Sequence, residues 1–167
     1  KIVKRLKKQK KKVVLCHGVF DLLHLGHLRH LEEAKTLGDY LIVSVTPNKF
    51  VEKGPSRPVF SEHLRAEALS HLNVVSAVVI NSSGTAIDII KKIKPNIYCK
   101  GPDYKKNSED VTGEIKNEIN ATKSVGGKIH YTQGETFSSS KLINQFGKIQ
   151  STSQKNFLKK IKKIYSF

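Results

Sequence analysis

The amino-acid sequence predicts an α/β fold: a single domain built on a doubly wound, five-stranded parallel sheet. Short apolar runs alternate along the chain with longer stretches that have the apolar spacing of amphipathic helices. The short runs are apolar at consecutive positions, which is typical of strands covered on both faces, and helix-length connections favour parallel pairing. Right-handed crossovers then place helices on both faces of the sheet and ligands at the carboxyl ends of its strands.

Residues that end helices or form turns separate the predicted elements. Gly38 ends the first helix, Ser61 is a candidate N-cap for the second, and Pro95 ends the third. A glycine pair at 126–127 ends a polar amphipathic helix, and prolines with a glycine indicate a loop over residues 46–58. The pattern as a whole is Rossmann-like. In chain order we predict strand 13–16, helix 26–37, strand 40–45, helix 61–72, strand 74–80, helix 85–94, strand 97–100, helix 110–125, strand 128–132 and helix 138–146.

The formal net charge of +16 is concentrated at the two ends of the 167-residue chain. Residues 1–12 carry eight Lys or Arg and residues 155–167 carry five, with no acidic residue in either segment; the 142 residues between them carry 17 basic and 14 acidic residues. Lysine outnumbers arginine 26 to 4, whereas specific nucleic-acid readers depend on the bidentate fork of arginine. We therefore expect no specific nucleic-acid partner, and polyanion binding by the basic ends stays open.

We divide the chain into a basic extension over residues 1–12, a domain over 13–146 and a basic extension or linker over 147–167. No apolar run approaches the roughly 20 residues needed to cross a bilayer, so we predict neither a membrane span nor a secretory signal. Cys16 and Cys99 form no CxxC pair, which favours free thiols in the core of a cytoplasmic protein over a disulfide or zinc site. The chain has no initiator methionine, as expected for a piece of a longer protein.

The segment most indicative of function is Gly-Val-Phe-Asp-Leu-Leu-His-Leu-Gly-His at 18–27, between the first strand and the first helix. It contains neither a GxGxxG string nor a Walker loop. His24 and His27 flank Gly26 at a predicted helix N-terminus, where free N–H groups and the helix dipole attract anions. The two imidazoles add donors that can follow phosphate charge, although a structural role for the pair stays open.

The string GxFDxxHxGH resembles the signature of the cytidylyltransferase-like nucleotidyltransferases, and the resemblance covers about residues 13–146. Lys53 follows the second strand by eight residues, where that superfamily has a phosphate-binding lysine. Other segments extend the resemblance. Three segments resemble bacterial heptose-1-phosphate adenylyltransferases: Ser-Arg-Pro-Val at 56–59, Leu-Arg at 64–65 and Lys-Gly-Pro-Asp-Tyr-Lys at 100–105. In addition, Phe-Ser-Ser-Ser at 137–140 stands where the superfamily has its ISTT motif.

Departures from these motifs favour a sugar phosphate over glycerol phosphate as the acceptor. Gln133 stands where the glycerol-phosphate branch has the arginine of its RTEGISTT string, and Leu-Asn-Val-Val-Ser at 72–76 replaces its RYVDE. His17 stands where heptose enzymes usually have asparagine, and Pro102 replaces a glycine. The identities of the nucleobase and of the sugar therefore stay open.

The resemblance implies that a substrate phosphate attacks the α-phosphorus of a nucleoside triphosphate in line and expels pyrophosphate. Such chemistry depends on positioning and charge stabilisation and needs no covalent nucleophile. Mg²⁺ would bridge the triphosphate mainly through phosphate oxygens and water, and we expect no protein metal site. Structural capping by Asp21 and a helix-surface ion pair of Arg65 stay open as alternatives. The implied catalytic residues are His24, His27 and Lys53; the nucleotide-binding residues are Gly18, Val19, Phe20, Gly26, Lys100, Ser138, Ser139 and Ser140; the acceptor-binding residues are His17, Asp21, Arg65 and Asp103.

The sequence thus predicts a sugar-phosphate nucleotidyltransferase similar to heptose-1-phosphate adenylyltransferase, with a nucleoside triphosphate and a sugar phosphate as substrates. We expect a cytoplasmic homodimer that is fused to, or works with, a sugar kinase, as in the family it resembles. Two alternatives stay open. One is a cytidylyltransferase for a polyol phosphate such as glycerol 3-phosphate, and the other is a catalytically inactive basic module that binds nucleic acid or anionic lipid.

Overall fold

Five parallel strands lie at the centre of the described part of the chain. The computed structural model describes residues 2–52, 57–102 and 114–133, all within one unit that spans residues 1–136. The strands are β1 (Val13–Gly18), β2 (Tyr40–Val45), β3 (Ala77–Ile80), β4 (Ile97–Lys100) and β5 (Lys128–Tyr131). The helices are α1 (Ile2–Lys8), α2 (Leu25–Thr36), α3 (Glu62–Ser70), α4 (Ile87–Ile93) and α5 (Ile115–Ser124).

β1 occupies the middle of the sheet, between β2 and β4. The strand order is β3-β2-β1-β4-β5 and every pairing is parallel. The chain runs outward from β1 through β2 to β3, then returns to the other side of β1 to form β4 and β5. This reversal makes the carboxyl ends of β1 and β4 the topological switch point, where open α/β sheets bind their ligands.

Each face of the sheet buries its own apolar cluster, which confirms the doubly wound arrangement. Alternate residues of β1 supply both clusters, because successive side chains of a strand point to opposite faces. Val14 and Cys16 pack with residues of α2 and α3. Val13 and Leu15 pack on the opposite face with residues of α4 and α5. The two layers of helices therefore cover a strand that is apolar at four consecutive positions.

Helix α1 is an element that the sequence analysis did not predict. Its seven residues include four basic ones, and the side chain of Ile2 is exposed. Leu6, however, is buried and belongs to the apolar cluster that contains Val13 and Leu15. Leu6, together with the partly buried Val3, thus attaches the basic segment to the face of the sheet that α4 and α5 cover.

Gly38 is required by a close approach of the chain rather than by a left-handed turn. A Cβ at this position would lie 2.8 Å from the carbonyl oxygen of Lys12 and 2.8 Å from Val14 Cγ2. That carbonyl accepts the N–H groups of Asp39, at 2.9 Å, and of Tyr40, at 3.1 Å. A side chain at position 38 would therefore push the start of β2 away from the start of β1.

The remaining differences from the predicted elements are at their ends. β1 extends two residues beyond the predicted strand, to Gly18, and β3 begins at Ala77 rather than at 74. Residues 71–76 form turns instead, with the N–H of Val75 donating to the Leu72 carbonyl at 2.9 Å. The predicted N-cap of α3 is confirmed, since Ser61 Oγ accepts from the N–H of Leu64. The predicted helix 138–146 lies outside the described residues.

Candidate active site

The turn between β1 and α2 is held by a phenylalanine in a left-handed conformation. Phe20 has φ of +49°, which costs a non-glycine residue of the order of 1–3 kcal/mol and therefore needs compensation from its surroundings. Its ring is buried and packs over Gly18, where a Cβ would lie 3.2 Å from Phe20 Cε2. The same ring lies against His27, with 5.3 Å between ring centroids. Gly18, Val19 and Phe20, predicted to bind nucleotide, thus form a fixed turn at the switch point.

His24 and His27 stack on one another at the N-terminus of α2. Their ring centroids are 3.9 Å apart and their planes differ by 21°. His24 is the N-cap residue, with extended backbone and no side-chain cap bond, and its carbonyl accepts the N–H of His27 at 2.9 Å. Gly26 lies in the first helical turn between them. Two imidazoles and an uncapped helix terminus therefore share one position, which suits a phosphate group.

Asp21 fixes the segment before α3 onto this turn. The residue is only 4% exposed, and its carboxylate accepts from Arg57 Nε at 2.5 Å. It also accepts from the N–H groups of Val59, at 2.7 Å, and Phe60, at 3.3 Å. Both carboxylate oxygens accept hydrogen bonds from the protein, which supports the anchoring role that the sequence left as an alternative, and acceptor binding by Asp21 stays a prediction.

Arg57 was not among the predicted site residues. Its Nε is paired with Asp21, whereas its buried Nη2 has no hydrogen-bond partner among the described residues. A buried guanidinium nitrogen on a side chain that is paired with Asp21 is a donor available to an anion. The signal in the sequence is the Ser-Arg-Pro-Val string, which carries a resemblance but by itself assigns no role to the arginine.

Arg65 is a buried brace rather than a helix-surface residue. It is 2% exposed, and burial lowers the pKa of its guanidinium while the nearby carboxylates of Asp21 and Glu62 oppose that shift. Its guanidinium joins the turn after β1, the loop after β2 and the start of α3. Its acceptors are the carbonyls of Val19, Thr46 and Phe60 and the side chain of Asn48.

His17 lies at the end of β1 between two hydroxyl groups of the neighbouring chain segment. Its Nδ1 is 3.1 Å from Ser44 Oγ and its Nε2 is 3.3 Å from Thr46 Oγ1. Burial lowers the pKa of His17 to about 4, and the charge of Lys100 adds to the effect. His17 is therefore a neutral imidazole at the switch point, with both ring nitrogens within hydrogen-bond distance of protein hydroxyl groups.

Lys100 ends β4 beside β1, in a buried ion pair with Glu118 of α5. The Nζ–Oε2 distance is 3.0 Å, and both side chains are less than a tenth exposed. Glu118 also accepts from the Tyr98 hydroxyl at 2.9 Å and from the N–H of Ala86 at 3.0 Å. Sequence reasoning missed Glu118, although it occupies a core position in a stripe with Ile115, Ala121 and Thr122. A carboxylate in such a stripe indicates a buried cationic partner.

The structure thus brings together at one edge of the sheet the predicted residues that it describes. They lie at or beside the carboxyl ends of β1, β2 and β4 and are His17, the 18–20 turn, Asp21, the stacked histidines, Arg65 and Lys100. Five further predicted site residues lie outside the described residues, and their roles stay predictions: Lys53, Asp103, Ser138, Ser139 and Ser140. No helix in the described segments is long and apolar enough to span a membrane.

The fold and this turn place the protein in the class of α/β nucleotidyltransferases, enzymes that act on a nucleotide substrate. Residues 15–145 match the Cytidylyltransferase-like family. The chain belongs to this family.

Curated relatives agree with that assignment. The chain is 43% identical over 129 residues to the Bifunctional protein HldE of a Nitratiruptor species, a match that covers 76% of this chain and 28% of the relative. It is 46% identical over 102 residues to the Bifunctional protein HldE of Campylobacter jejuni subsp. doylei, a match that covers 60% of this chain and 22% of the relative. The chain therefore spans about a quarter of the length of these relatives.

Solved structures share the fold. The lipopolysaccharide core biosynthesis protein from Thermoplasma volcanium is 26% identical, with a TM-score of 0.60 over 77% of this chain and 99% of that one. The pantoate-beta-alanine ligase from Francisella tularensis has a TM-score of 0.57 over 95% of this chain and 75% of that one. At 17% identity the second likeness shows the fold alone.

Proposed function

We propose that the protein transfers a nucleoside monophosphate, as an adenylyltransferase does, to a sugar 1-phosphate of the heptose type and releases pyrophosphate. The observation that carries the proposal is the stacked pair His24 and His27 at the helix N-terminus of the switch point. The relatives named Bifunctional protein HldE, and the lipopolysaccharide core biosynthesis protein with the same fold, support a role in building a cell-envelope sugar.

In the proposed reaction an oxygen of the sugar phosphate forms a bond to the α-phosphorus of the triphosphate. The bond from that phosphorus to the bridging oxygen breaks, and pyrophosphate leaves with the electron pair. The attacking phosphate is already ionised at neutral pH, so no side chain has to remove a proton. His24 and His27 donate hydrogen bonds to the oxygens on which negative charge grows, and the N-terminus of α2 adds its dipole.

Cationic side chains hold the triphosphate during this displacement. Lys100 lies at the switch point, where Glu118 fixes its position. We assign the phosphates beyond the α-phosphate to Lys53 and to the three serines at 138–140, from their place in the family motifs. Arg57 is added to this set because its Nη2 has no partner among the described residues.

Mg²⁺ enters this proposal as part of the substrate, bound to the triphosphate. The described residues fit that assignment, because both oxygens of Asp21 are engaged by protein donors and Glu118 is paired with Lys100. When bound, the ion would neutralise phosphate charge, held mainly by phosphate oxygens and water.

The choice of a sugar phosphate as acceptor rests on the absence of an arginine at position 133. Gln133 stands where a glycerol-phosphate enzyme would have arginine, and its backbone N–H donates to Glu33 at 2.9 Å. A sugar 1-phosphate instead needs partners for its hydroxyls once they are desolvated. We assign these partners to His17 and Asp103 from their place in the family motifs. We further propose a cytoplasmic homodimer that is fused to, or works with, a sugar kinase.

The test is pyrophosphate release with ATP or CTP and either heptose 1-phosphate or glycerol 3-phosphate. We expect the sugar phosphate to exceed glycerol 3-phosphate in kcat/KM by at least about tenfold, or about 1.4 kcal/mol of transition-state discrimination. The His24→Ala/His27→Ala double variant sets the background. Equal or better use of glycerol 3-phosphate would overturn the acceptor assignment alone, and release no faster than the double variant with every pair would overturn the enzymatic proposal.

A further inference from the structure

A cluster of two cysteines and one histidine lies in the core, on the same strands and helix as the candidate active site: Cys16 in β1, Cys99 in β4 and His30 in α2. Cys16 and Cys99 are register partners in β1 and β4, and they are 0% and 1% exposed. His30 reaches them from α2, and one candidate ligand atom from each residue lies within 4.8 Å of the other two. The three residues are distant in sequence, and the switch point brings them to one place.

A hydrogen-bond chain orients the imidazole of His30. The Thr132 hydroxyl donates to the Lys100 carbonyl at 3.3 Å, and its oxygen lies 2.9 Å from Nδ1 of His30. In the tautomer with the proton on Nδ1, this nitrogen donates to Thr132 and Nε2 keeps its lone pair. Histidines that bind metals are commonly fixed in this way, by a partner on the other ring nitrogen.

We propose that Cys16, His30 and Cys99 form a binding site for one Zn²⁺ ion. Two thiols release their protons to solvent, and two sulfur–zinc bonds and one nitrogen–zinc bond form. The resulting centre is neutral, because two thiolate charges balance the charge of the ion. A neutral centre suits a buried site, whereas a monovalent copper ion on the same ligands would leave a buried negative charge.

The geometry is close to what zinc requires. Zinc–sulfur bonds of about 2.3 Å at tetrahedral angles put two sulfur atoms roughly 3.8 Å apart, and a nitrogen ligand slightly nearer. Side-chain rotations that bring the ligand atoms about 1 Å closer together would therefore give the distances that zinc requires. Three protein ligands leave one position of a tetrahedral ion for water.

Such an ion would join the three elements that carry the candidate catalytic groups. Cys16 is two residues before Gly18 in β1, Cys99 precedes Lys100 in β4, and His30 is one turn after His27 in α2. A ligand that binds only the folded chain raises its melting temperature. The site would thus stabilise the base of the active-site turn without contacting a substrate.

The first experiment titrates the purified full chain with Co²⁺ and then with Zn²⁺. The chain contains only two cysteines, so a thiolate-to-cobalt absorption band reports this site alone. We expect one Co²⁺ per chain, displacement by one Zn²⁺, a zinc Kd of about 1 µM or tighter, and a higher Tm with zinc. Absence of the band, or an unchanged Tm at saturating zinc, would overturn the proposal.

Variants identify the ligands. Cys99→Ser and His30→Gln should each weaken zinc binding at least about 100-fold. The matched control His71→Gln, at an exposed histidine that follows α3, should leave zinc binding unchanged. His30→Gln keeps both thiols, so it stays informative even if a cysteine variant fails to fold. Zinc binding in His30→Gln within about threefold of the unmodified chain would refute the three-ligand site.

Discussion

The buried ion pair between Lys100 and Glu118 allows a quantitative prediction. In Glu118→Gln the amide oxygen can still accept from the Tyr98 hydroxyl, and the amide nitrogen then faces the N–H of Ala86. The change therefore removes the negative charge 3.0 Å from Lys100 Nζ together with one hydrogen bond to the backbone. Both charged side chains are less than a tenth exposed, and water therefore cannot replace the lost partner. Breaking a buried pair by removing one partner costs about 3–5 kcal/mol.

For a chain of this length, 1 kcal/mol corresponds to roughly 2–4 °C in Tm, so Glu118→Gln should lower Tm by about 6–20 °C. Calorimetry and urea unfolding, monitored by circular dichroism, measure the Tm and the free energy of unfolding. Glu67→Gln, at an exposed carboxylate on α3, is the matched control and should change the free energy of unfolding by less than about 0.5 kcal/mol.

The double variant Lys100→Met/Glu118→Met separates a buried charge from a general packing defect. With both charges removed, the stability should recover to well above that of Glu118→Gln, because an apolar pair can replace a buried ion pair. A loss below about 1 kcal/mol in Glu118→Gln would refute the buried-pair argument. So would a double variant as unstable as the sum of its single changes.

Further predictions concern the turn and the packing of the chain. His24→Ala or His27→Ala should lower turnover by roughly 10²–10³ with little change in Tm, measured by pyrophosphate release; full activity in both would remove the proposed catalytic pair. Leu6→Ala should cost about 2 kcal/mol of unfolding free energy in urea titrations, while Ile2→Ala on the same helix should be near neutral; equal effects would mean that α1 is not anchored through Leu6. Gly38→Ala should cost about 1–3 kcal/mol by calorimetry, because its Cβ meets the Lys12 carbonyl, and a neutral result would contradict the close approach.

Local patterns in the sequence predicted the fold class and the position of the turn that carries His24 and His27. Consecutive apolar residues, as in β1, can be satisfied only by helices on both faces, and this local pattern sufficed to predict a doubly wound sheet. The histidine pair was equally local, since His24 and His27 are three residues apart and share one helix terminus. Motifs of this kind depend on neighbouring residues and are readable without any tertiary contact.

The tertiary structure decided which charged and polar side chains became partners. Arg65 looked like a helix-surface or phosphate-binding residue, yet it braces carbonyls from three segments of the chain. Glu118 and Leu6 gained their roles from Lys100 and from the sheet face, neither of which is near them in sequence. Such partnerships depend on strand order.

The two cysteines illustrate the same difference between what a local sequence pattern predicts and what the tertiary contacts add. Cys16 and Cys99 are separated by 83 positions and were expected to be free thiols in the core rather than parts of a disulfide or zinc site. Strand order places β1 next to β4, so the two thiols become register partners and α2 brings His30 to them. A local pattern encodes which face of an element is buried, but long-range pairing is set by the global packing of all strands. The sequence therefore predicted most of the elements and the turn that carries His24 and His27, whereas their contacts depend on how all the strands pack together.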